Sequence, residues 1–465
     1  MVRRGKEINM IVQTEYGKVK GAPNYGAVLF KGIPYAKAPT RERRFRRPEK
    51  HPKWDGVFDA CRWGNKCIQR QQEKGSFYQI EFYNNDEFST SISEDCLNLN
   101  IWLPKNIEEI IANGTKLPVA IYVHGGAFLG GAGSNLPFVA TRLVEEEVIV
   151  VTINYRLGVF GFLSHPILSE ISGEESFGNY GLWDQIAAIK WVKDNIANFG
   201  GDSDNITLFG QSAGAMSLQI LSLSDEARGL YHKMIMQSGG GYHNPLGAYQ
   251  TLEAGTEYGE WFIEEICKKK GYDRSDEEAI KKYLVEADAS ELQELSGLVT
   301  MRSFKAGRGF AFVPVIDGAI LKEDGDTLIE KGQFAKTPYI LGANRNDITM
   351  ESATDFSADK NPMEKANIEL AKKANENGAD AYVYYFERQL PGDNSGAFHS
   401  AELWYVFGSL DYCWRKEQFT TSDYELSWKM IKYWTHFMKT GNPNNEDCPS
   451  WDKCTRDNGF IMELK

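Results

Sequence analysis

Apolar positions along the chain recur with two different periods. Leu117 to Val123 and Val148 to Asn154 are largely apolar and rich in β-branched residues, the pattern of strands covered on both faces. Ile206 to Phe209, Lys233 to Met236 and Pro338 to Leu341 are shorter runs of the same kind, and Ala381 to Phe386 is a further β-rich run. Between these the period lengthens. From Tyr180 to Asn198, residues Leu182, Ile186, Ile189, Trp191, Val192 and Ile196 fall on one broad helical stripe, closed by Phe199-Gly200-Gly201, so this segment is expected to be a helix covering the sheet. Lys360 to Asn377 and Asp423 to Lys439 carry helical patterns as well. Such alternation predicts an α/β fold with a mainly parallel central sheet flanked by helices. From about Gln250 to Leu298 the chain is charged and amphipathic without strand runs. The expectation is one domain over residues 1–465, with a helical insertion at about 245–305 that helps to shape a cavity.

Composition narrows the partners. With 52 Lys and Arg against 64 Asp and Glu, the formal charge is −12, which argues against a polyanion such as nucleic acid. The five arginines between Arg41 and Arg47 are expected to form a solvated face with local ion pairs. Met1 to Lys20 has no apolar stretch of signal-peptide length, and no run of 18 apolar residues follows, so the chain reads as soluble, cytoplasmic and not bound to a membrane. The cysteine count of seven is odd. Cys67 and Cys96 can bridge in an oxidising compartment, and without a secretion signal they are expected to be two reduced thiols. Cys448 and Cys454 lack the His or Cys neighbours of a metal site. Two Asn-x-Thr sequons, at Asn113 and Asn205, would go unused in a cytoplasmic chain.

Chemistry concentrates after the strand-like runs. Gly210-Gln211-Ser212-Ala213-Gly214 follows the run Ile206 to Phe209 and precedes the helical stretch Ala215 to Leu221. That is the strand–turn–helix setting of a nucleophile elbow, whose tight turn needs small residues around the serine and aims the Ala213 N–H at a substrate carbonyl. The α/β-hydrolase fold is therefore expected. His124-Gly125-Gly126-Ala127-Phe128 directly follows Leu117 to Val123. Its glycines let backbone approach a substrate oxygen, so the N–H groups of Gly125 and Gly126 can join that of Ala213 in an oxyanion hole, with His124 orienting the loop. In this fold the acid and then the histidine follow the serine. His399, in a loop, is the expected general base, whereas His436 lies within the helix Asp423 to Lys439 beside Trp434 and Phe437. Asp347 follows the strand Pro338 to Leu341 and is the expected acid. Glu351 and Asp355 are rivals, and Arg345 can pair with Asp347 in a purely structural bridge.

Taken in order, these segments resemble the type-B carboxylesterase/lipase family, which includes bacterial p-nitrobenzyl-type esterases and cholinesterases. The resemblance runs through Phe30-Lys31-Gly32-Ile33-Pro34-Tyr35-Ala36, Ser93-Glu94-Asp95-Cys96-Leu97-Asn98-Leu99-Asn100 and the His124 loop. It continues in Asn154-Tyr155-Arg156-Leu157-Gly158, Gly178-Asn179-Tyr180-Gly181-Leu182-Trp183-Asp184-Gln185, Phe199-Gly200-Gly201-Asp202, the elbow, and Phe312-Val313-Pro314-Val315-Ile316-Asp317-Gly318. It implies a serine carboxylesterase with Ser212, Asp347 and His399 as triad, Gly125, Gly126 and Ala213 as oxyanion donors, and Ser238 supporting the acid. It also implies that Phe310, and Arg308 where cholinesterases carry an aromatic, stand near the acyl pocket, and that Phe77, Tyr78, Phe82, Tyr83 and Phe88 line or cap the entrance. Packing of that loop onto the body accounts for these aromatics equally well. An inward Arg308 would favour polar or anionic acyl groups. The sequence departs from the family in four ways. Asp347 replaces the usual Glu, Gln211 replaces the Glu common before the nucleophile, the segment between Asp347 and His399 is short, and Ile68 to Asp95 has no tryptophan, which disfavours choline esters.

The expected reaction passes through an acyl-enzyme on Ser212, with His399 moving the proton and neither metal nor organic cofactor required. Its substrate would be a small to medium, partly aromatic or apolar ester, handled by a monomer or weak homo-oligomer. Two other readings compete with this one. A silent relative serving as an interaction protein would be expected to lack Ser212 or His399, and both are present; a triad hydrolase of amides, thioesters or lipids would differ in its substrate profile.

Overall fold

A continuous apolar run is stable as a strand only when both of its faces are covered, and that is where the longest runs lie. The computed structural model describes residues 9–247, 249–348 and 362–465. Its strands are β1 (Met10–Gln13), β2 (Lys18–Asn24), β3 (Ala27–Pro34), β4 (Val57–Asp59), β5 (Asn98–Leu103), β6 (Leu117–Val123), β7 (Ile149–Ile153), β8 (Gly201–Gln211), β9 (Lys233–Gln237), β10 (Tyr339–Asn344), β11 (Ala381–Phe386) and β12 (Met462–Leu464). They form one sheet in the order β1-β2-β3-β5-β7-β6-β8-β9-β10-β11-β12, with β4 beside β2. From β7 through β12 every neighbouring pair is parallel, while β1, β2, β3, β5 and β7 pair antiparallel along that order. The mainly parallel α/β sheet is thus present, and the antiparallel edge is added by segments such as Lys18–Asn24, whose polar residues conceal them from a search for apolar runs.

Strand order locates the functional edge. After β6 the chain crosses to β7 on one side and then returns to β8 on the other. In such sheets a ligand crevice opens outside the carboxyl ends of the strands at this reversal, and here those ends are Val123 of β6 and Gln211 of β8. The predicted covering helix spans Tyr180–Asn195 and tightens into a 3-10 turn over Ile196–Phe199 before Gly200 adopts a left-handed conformation. It is pinned to the sheet by a fully buried ion pair: Arg156 donates through Nη2 to Asp184 Oδ1 at 2.7 Å and through Nε to Oδ2 at 2.7 Å. Helices Leu252–Lys270, Glu277–Glu286 and Ala289–Lys305 lie between β9 and β10. Helix Pro362–Glu376 packs on β10 and β11; Lys360 and Asn361, the first residues of its predicted span, lie outside the described residues.

The basic stretch is absorbed by the body. Arg44 forms a two-pronged bridge to Glu94 (2.6 and 2.9 Å), and Arg47 pairs with Glu174 while lying over the Trp183 ring. Among the described residues, no helix is long and apolar enough to cross a membrane. One expectation is corrected: Cys67 and Cys96 form a disulfide rather than two reduced thiols. Their Cα atoms stand 4.9 Å apart because Cys67 and Cys96 close the base of one folded-back segment. The remaining five cysteines, Cys61, Cys267, Cys413, Cys448 and Cys454, are free.

The bridge spans 29 residues of sequence, and a loop of that size constrains the unfolded chain by about 3 to 4 kcal/mol in the chain-entropy model. Cys67→Ser, or reduction of the native protein, is expected to lower the unfolding free energy by about that amount. Urea melts with and without reductant measure it, and coincident curves would mean that the bridge does not form in solution.

Candidate active site

The elbow is set by how closely three elements approach. β8 ends at Gln211, Ser212 has φ 57° and ψ −128°, and the helix Ala213–Leu223 starts at the next residue. A Cβ on Gly214 would come within 2.0 Å of the Val123 carbonyl oxygen, and one on Gly210 within 2.9 Å of the same oxygen. The glycines therefore let the helix start against the end of β6, and the turn leaves Ser212 in a sterically costly conformation. Its N–H donates to Gln237 O at 2.8 Å, and its carbonyl accepts from Met216 N at 2.9 Å. The loop that follows β6 is equally close, since a Cβ on Gly125 would meet Ser212 Cβ at 2.8 Å. Ala213 is the first residue of its helix, where N–H groups have no intrahelical acceptor. Gly125 and the start of this helix thus lie beside Ser212.

His124 orients this loop. Its ring stacks on Tyr155 with centroids 4.5 Å apart, its Nδ1 bonds to Gly125 O at 2.8 Å, and Tyr155 donates its hydroxyl to His124 O at 2.8 Å. Burial pulls the imidazole pKa down to about 4, with Lys66 pushing the same way against the Gly125 bond, so it stays neutral near pH 7.

The acid and the imidazole arrive from beyond β10 and β11. Asp347 sits in a tight turn after β10, where Oδ2 accepts from Asn344 N and Oδ1 from Ile348 N, both at 3.0 Å. His399 follows a bridge between Asn346 and Phe398, reinforced by Asn346 N donating to Ala397 O at 3.1 Å and Asn344 Nδ2 to Phe398 O at 2.8 Å. Its Nδ1 bonds to Asp347 Oδ1. A carboxylate only accepts, so Nδ1 carries the proton and Nε2 holds the lone pair. That lone pair faces Gln211 Nε2 at 3.2 Å, one residue from Ser212. Burial is the largest influence on the His399 pKa and lowers it. The charge and hydrogen bond of Asp347, with a smaller push from Glu402, outweigh burial, so the net direction is upward from 6.5. His436 lies elsewhere, bonding Asn442 O at the end of its helix. Glu351 and Asp355 lie outside the described residues.

Other expected contacts are redistributed. Ser238 is buried in a left-handed conformation with its N–H on Gly342 O. Among the described residues its hydroxyl has no hydrogen-bond partner, so backbone N–H groups hold Asp347 in its place. Arg308 does not bring a free charge into the pocket: it forms a two-pronged bridge to Glu257 (2.7 and 2.8 Å) and lies over Tyr258 and Trp261. Phe310 meets Phe304 edge-on and remains 43 % exposed. Phe77 and Phe82 pack the disulfide-closed segment onto the body, against Phe398 at 4.9 and 6.2 Å, and Phe82 also against Trp404 at 5.7 Å. Packing onto the body is therefore the account these two rings support.

Glu402 is the site residue that sequence reasoning missed. It is fully buried and accepts from Asn344 Nδ2 at 2.5 Å and Gln237 Nε2 at 3.2 Å. Burial and then the Asp347 charge push its carboxyl up to about 7. The available signal was a lone acid directly before the apolar run Leu403-Trp404-Tyr405-Val406-Phe407.

A serine on a strained strand-to-helix turn, with a paired imidazole and carboxylate in loops that follow later strands of a parallel sheet, defines an α/β-hydrolase. The carboxylesterase family model matches residues 9–369 and 363–465. Para-nitrobenzyl esterase of Bacillus subtilis (strain 168) is 32% identical over 97% of this chain and 94% of its own length. Acetylcholinesterase 1 of Caenorhabditis briggsae is 31% identical over 90% of this chain and 76% of its own. A solved thermophilic PNB esterase superposes with a TM-score of 0.83 at 30% identity, covering 98% of this chain and 96% of that one. The chain belongs to the carboxylesterase family and is a carboxylic-ester hydrolase.

Because Glu402 holds its proton more tightly when folded than its ordinary 4.5, the stability it contributes is complete below that value. It is lost as pH rises through about 7, a swing of roughly 3 kcal/mol. Glu402→Gln is expected to flatten the pH dependence of the melting temperature between about pH 5 and 8. An unchanged slope in that window would contradict a protonated Glu402.

Proposed function

We propose that Ser212 attacks the ester carbonyl while His399 takes its proton through Nε2, Asp347 holds the imidazole in the Nδ1–H tautomer, and the N–H groups of Gly125, Gly126 and Ala213 receive the oxyanion. His399 then protonates the departing alcohol, and water repeats the cycle on the acyl-enzyme. The observation that carries this reading is the orientation of His399, with Nδ1 on Asp347 and Nε2 facing the residue beside Ser212. In the resting enzyme the Gln211 amide caps that lone pair, so substrate entry must exchange this bond for one from the Ser212 hydroxyl.

The substrates are small to medium, partly aromatic or apolar esters. Lys66 reduces the fit for a cationic alcohol: its ammonium lies 5.9 Å over the Tyr83 ring and its charge acts on His124 of the oxyanion loop. The similarity to a para-nitrobenzyl esterase supports aryl and benzyl esters as first probes.

Hydrolysis of p-nitrophenyl esters of increasing acyl length tests the assignment. Ser212→Ala and His399→Ala are expected to lose kcat by about four orders of magnitude or more, and Ser212→Ala to lose labelling by a fluorophosphonate. Near-full rates in either variant would refute it. The acid limb of kcat/KM should fall above the ordinary imidazole value, since His399 must be neutral to act and Asp347 raises its pKa. Asp347→Asn should move that limb below the ordinary value, because burial then dominates. Gln211→Glu places a carboxylate beside Nε2 and should shift the limb to higher pH. A profile unmoved by both changes would exclude His399 as the titrating base.

A further inference from the structure

Arg415 is a buried charge that the proposed reaction does not use. Its side chain is fully buried, as is that of Glu81, while Asp393 is 42% exposed. The guanidinium donates to Glu81 through both Nε and Nη2, to Pro391 O through Nη1 at 2.6 Å, and to Asp393 Oδ2 and Ser395 Oγ through Nη2 at 2.7 and 3.3 Å. These partners come from two places. Glu81 belongs to the short helix Phe77–Phe82 within the disulfide-closed segment, whereas Pro391, Asp393 and Ser395 form the turn that leads into Ala397-Phe398-His399. The turn passes so close that a Cβ on Gly392 would collide with Gln418 Oε1 at 1.8 Å and crowd Arg415 Nη1 at 3.3 Å.

A second contact joins the same two elements on the other side of the turn. Phe77 and Phe82 hold the ring of Phe398, the residue before His399. The helix from the 67–96 segment therefore grips the His399 loop twice, by an ion cluster at 391–395 and by aromatic packing at 398. A planar donor fork with several acceptors at defined angles is suited to fixing a geometry, whereas two buried charges add little net stability over an apolar pair of similar shape.

We propose that Arg415 is a positioning residue for His399: by gripping Glu81 and the 391–395 turn together, it makes the disulfide-closed segment a support for the base. The proposal rests on the reading of His399 as the general base. It assigns the 67–96 segment a part in the proton transfer, separate from any part in admitting substrate. A base displaced by even 1 Å slows reaction by about a hundred-fold, and it also loses the Asp347 contact that raises its pKa.

The experiment compares Glu81→Gln, Arg415→Lys, Arg415→Met and the double variant Arg415→Met/Glu81→Leu, using p-nitrophenyl acetate across pH. Glu81→Gln is expected to lower kcat by about ten- to a hundred-fold, with KM within about three-fold, and to move the acid limb of kcat/KM to lower pH. Arg415→Lys, which keeps the charge without the fork, should recover part of the loss seen in Arg415→Met. The double variant should fold and be no slower than the slower single variant, as expected for two residues acting as one unit. Should Arg415→Met fail to fold, Glu81→Gln and the double variant decide. The proposal is overturned if folded Glu81→Gln and Arg415→Lys keep kcat within two-fold with an unmoved acid limb, or if the loss lies in KM alone. His399→Ala separates the two readings: an active His399→Ala removes the base assignment itself, whereas an inactive one beside a normal Glu81→Gln removes only the clamp.

Discussion

Everything at the site follows from the contact between the start of the helix Ala213–Leu223 and the end of β6. Gly214 lies so close to the Val123 carbonyl that a methyl group cannot fit between them. The helix must therefore begin immediately after β8, and Ser212 takes up the whole change of direction in one residue with positive φ. A strained residue of this kind costs on the order of 1 to 3 kcal/mol and persists because the apolar core of the sheet holds both flanking elements. The same approach brings Gly125 against Ser212, so the bend that turns the serine out of the strand also sets the loop after β6 beside it.

Two histidines show how environment rather than residue type sets chemistry. His124 and His399 are both buried. Around His124 burial dominates and a lysine charge adds to it, which keeps the ring neutral and suits it to holding a loop. Around His399 two carboxylates oppose burial and reverse the net direction. Glu402 deepens this contrast: placed near Asp347 in a dry interior it tends to keep its proton, so one of the two carboxyl groups near the imidazole responds to pH. The Gln211 amide supplies a neutral donor at Nε2.

The disulfide-closed segment takes on a different character once its contacts are traced. Its aromatic residues suggest a cap over an entrance, yet Phe77 and Phe82 are spent on Phe398 and Trp404, and Glu81 on Arg415. A covalent loop closed by Cys67–Cys96, an ion cluster and an aromatic cluster together tie it to the loop that carries His399. Arg308 follows the same logic, since its charge is satisfied by Glu257 and two aromatic faces.

What the amino-acid order determined alone is what depends on neighbours in the chain. β6 and β11 were legible to the residue because an unbroken apolar run reports two covered faces, and the elbow because its glycines surround the serine within five positions. Asp347 and His399 were legible as the residues that follow β10 and β11 in a known order. Tertiary structure alone decided which side chains far apart in sequence meet. Arg415 and Glu81 are 334 positions apart, Gln211 and His399 188, and Asn344 and Glu402 58. The disulfide, the turning of Arg308 toward Glu257 and the burial of Glu402 belong to this second group. Local periodicity reports whether a residue faces the interior, but the partner it finds there is fixed only when separate strands and helices close around the same volume.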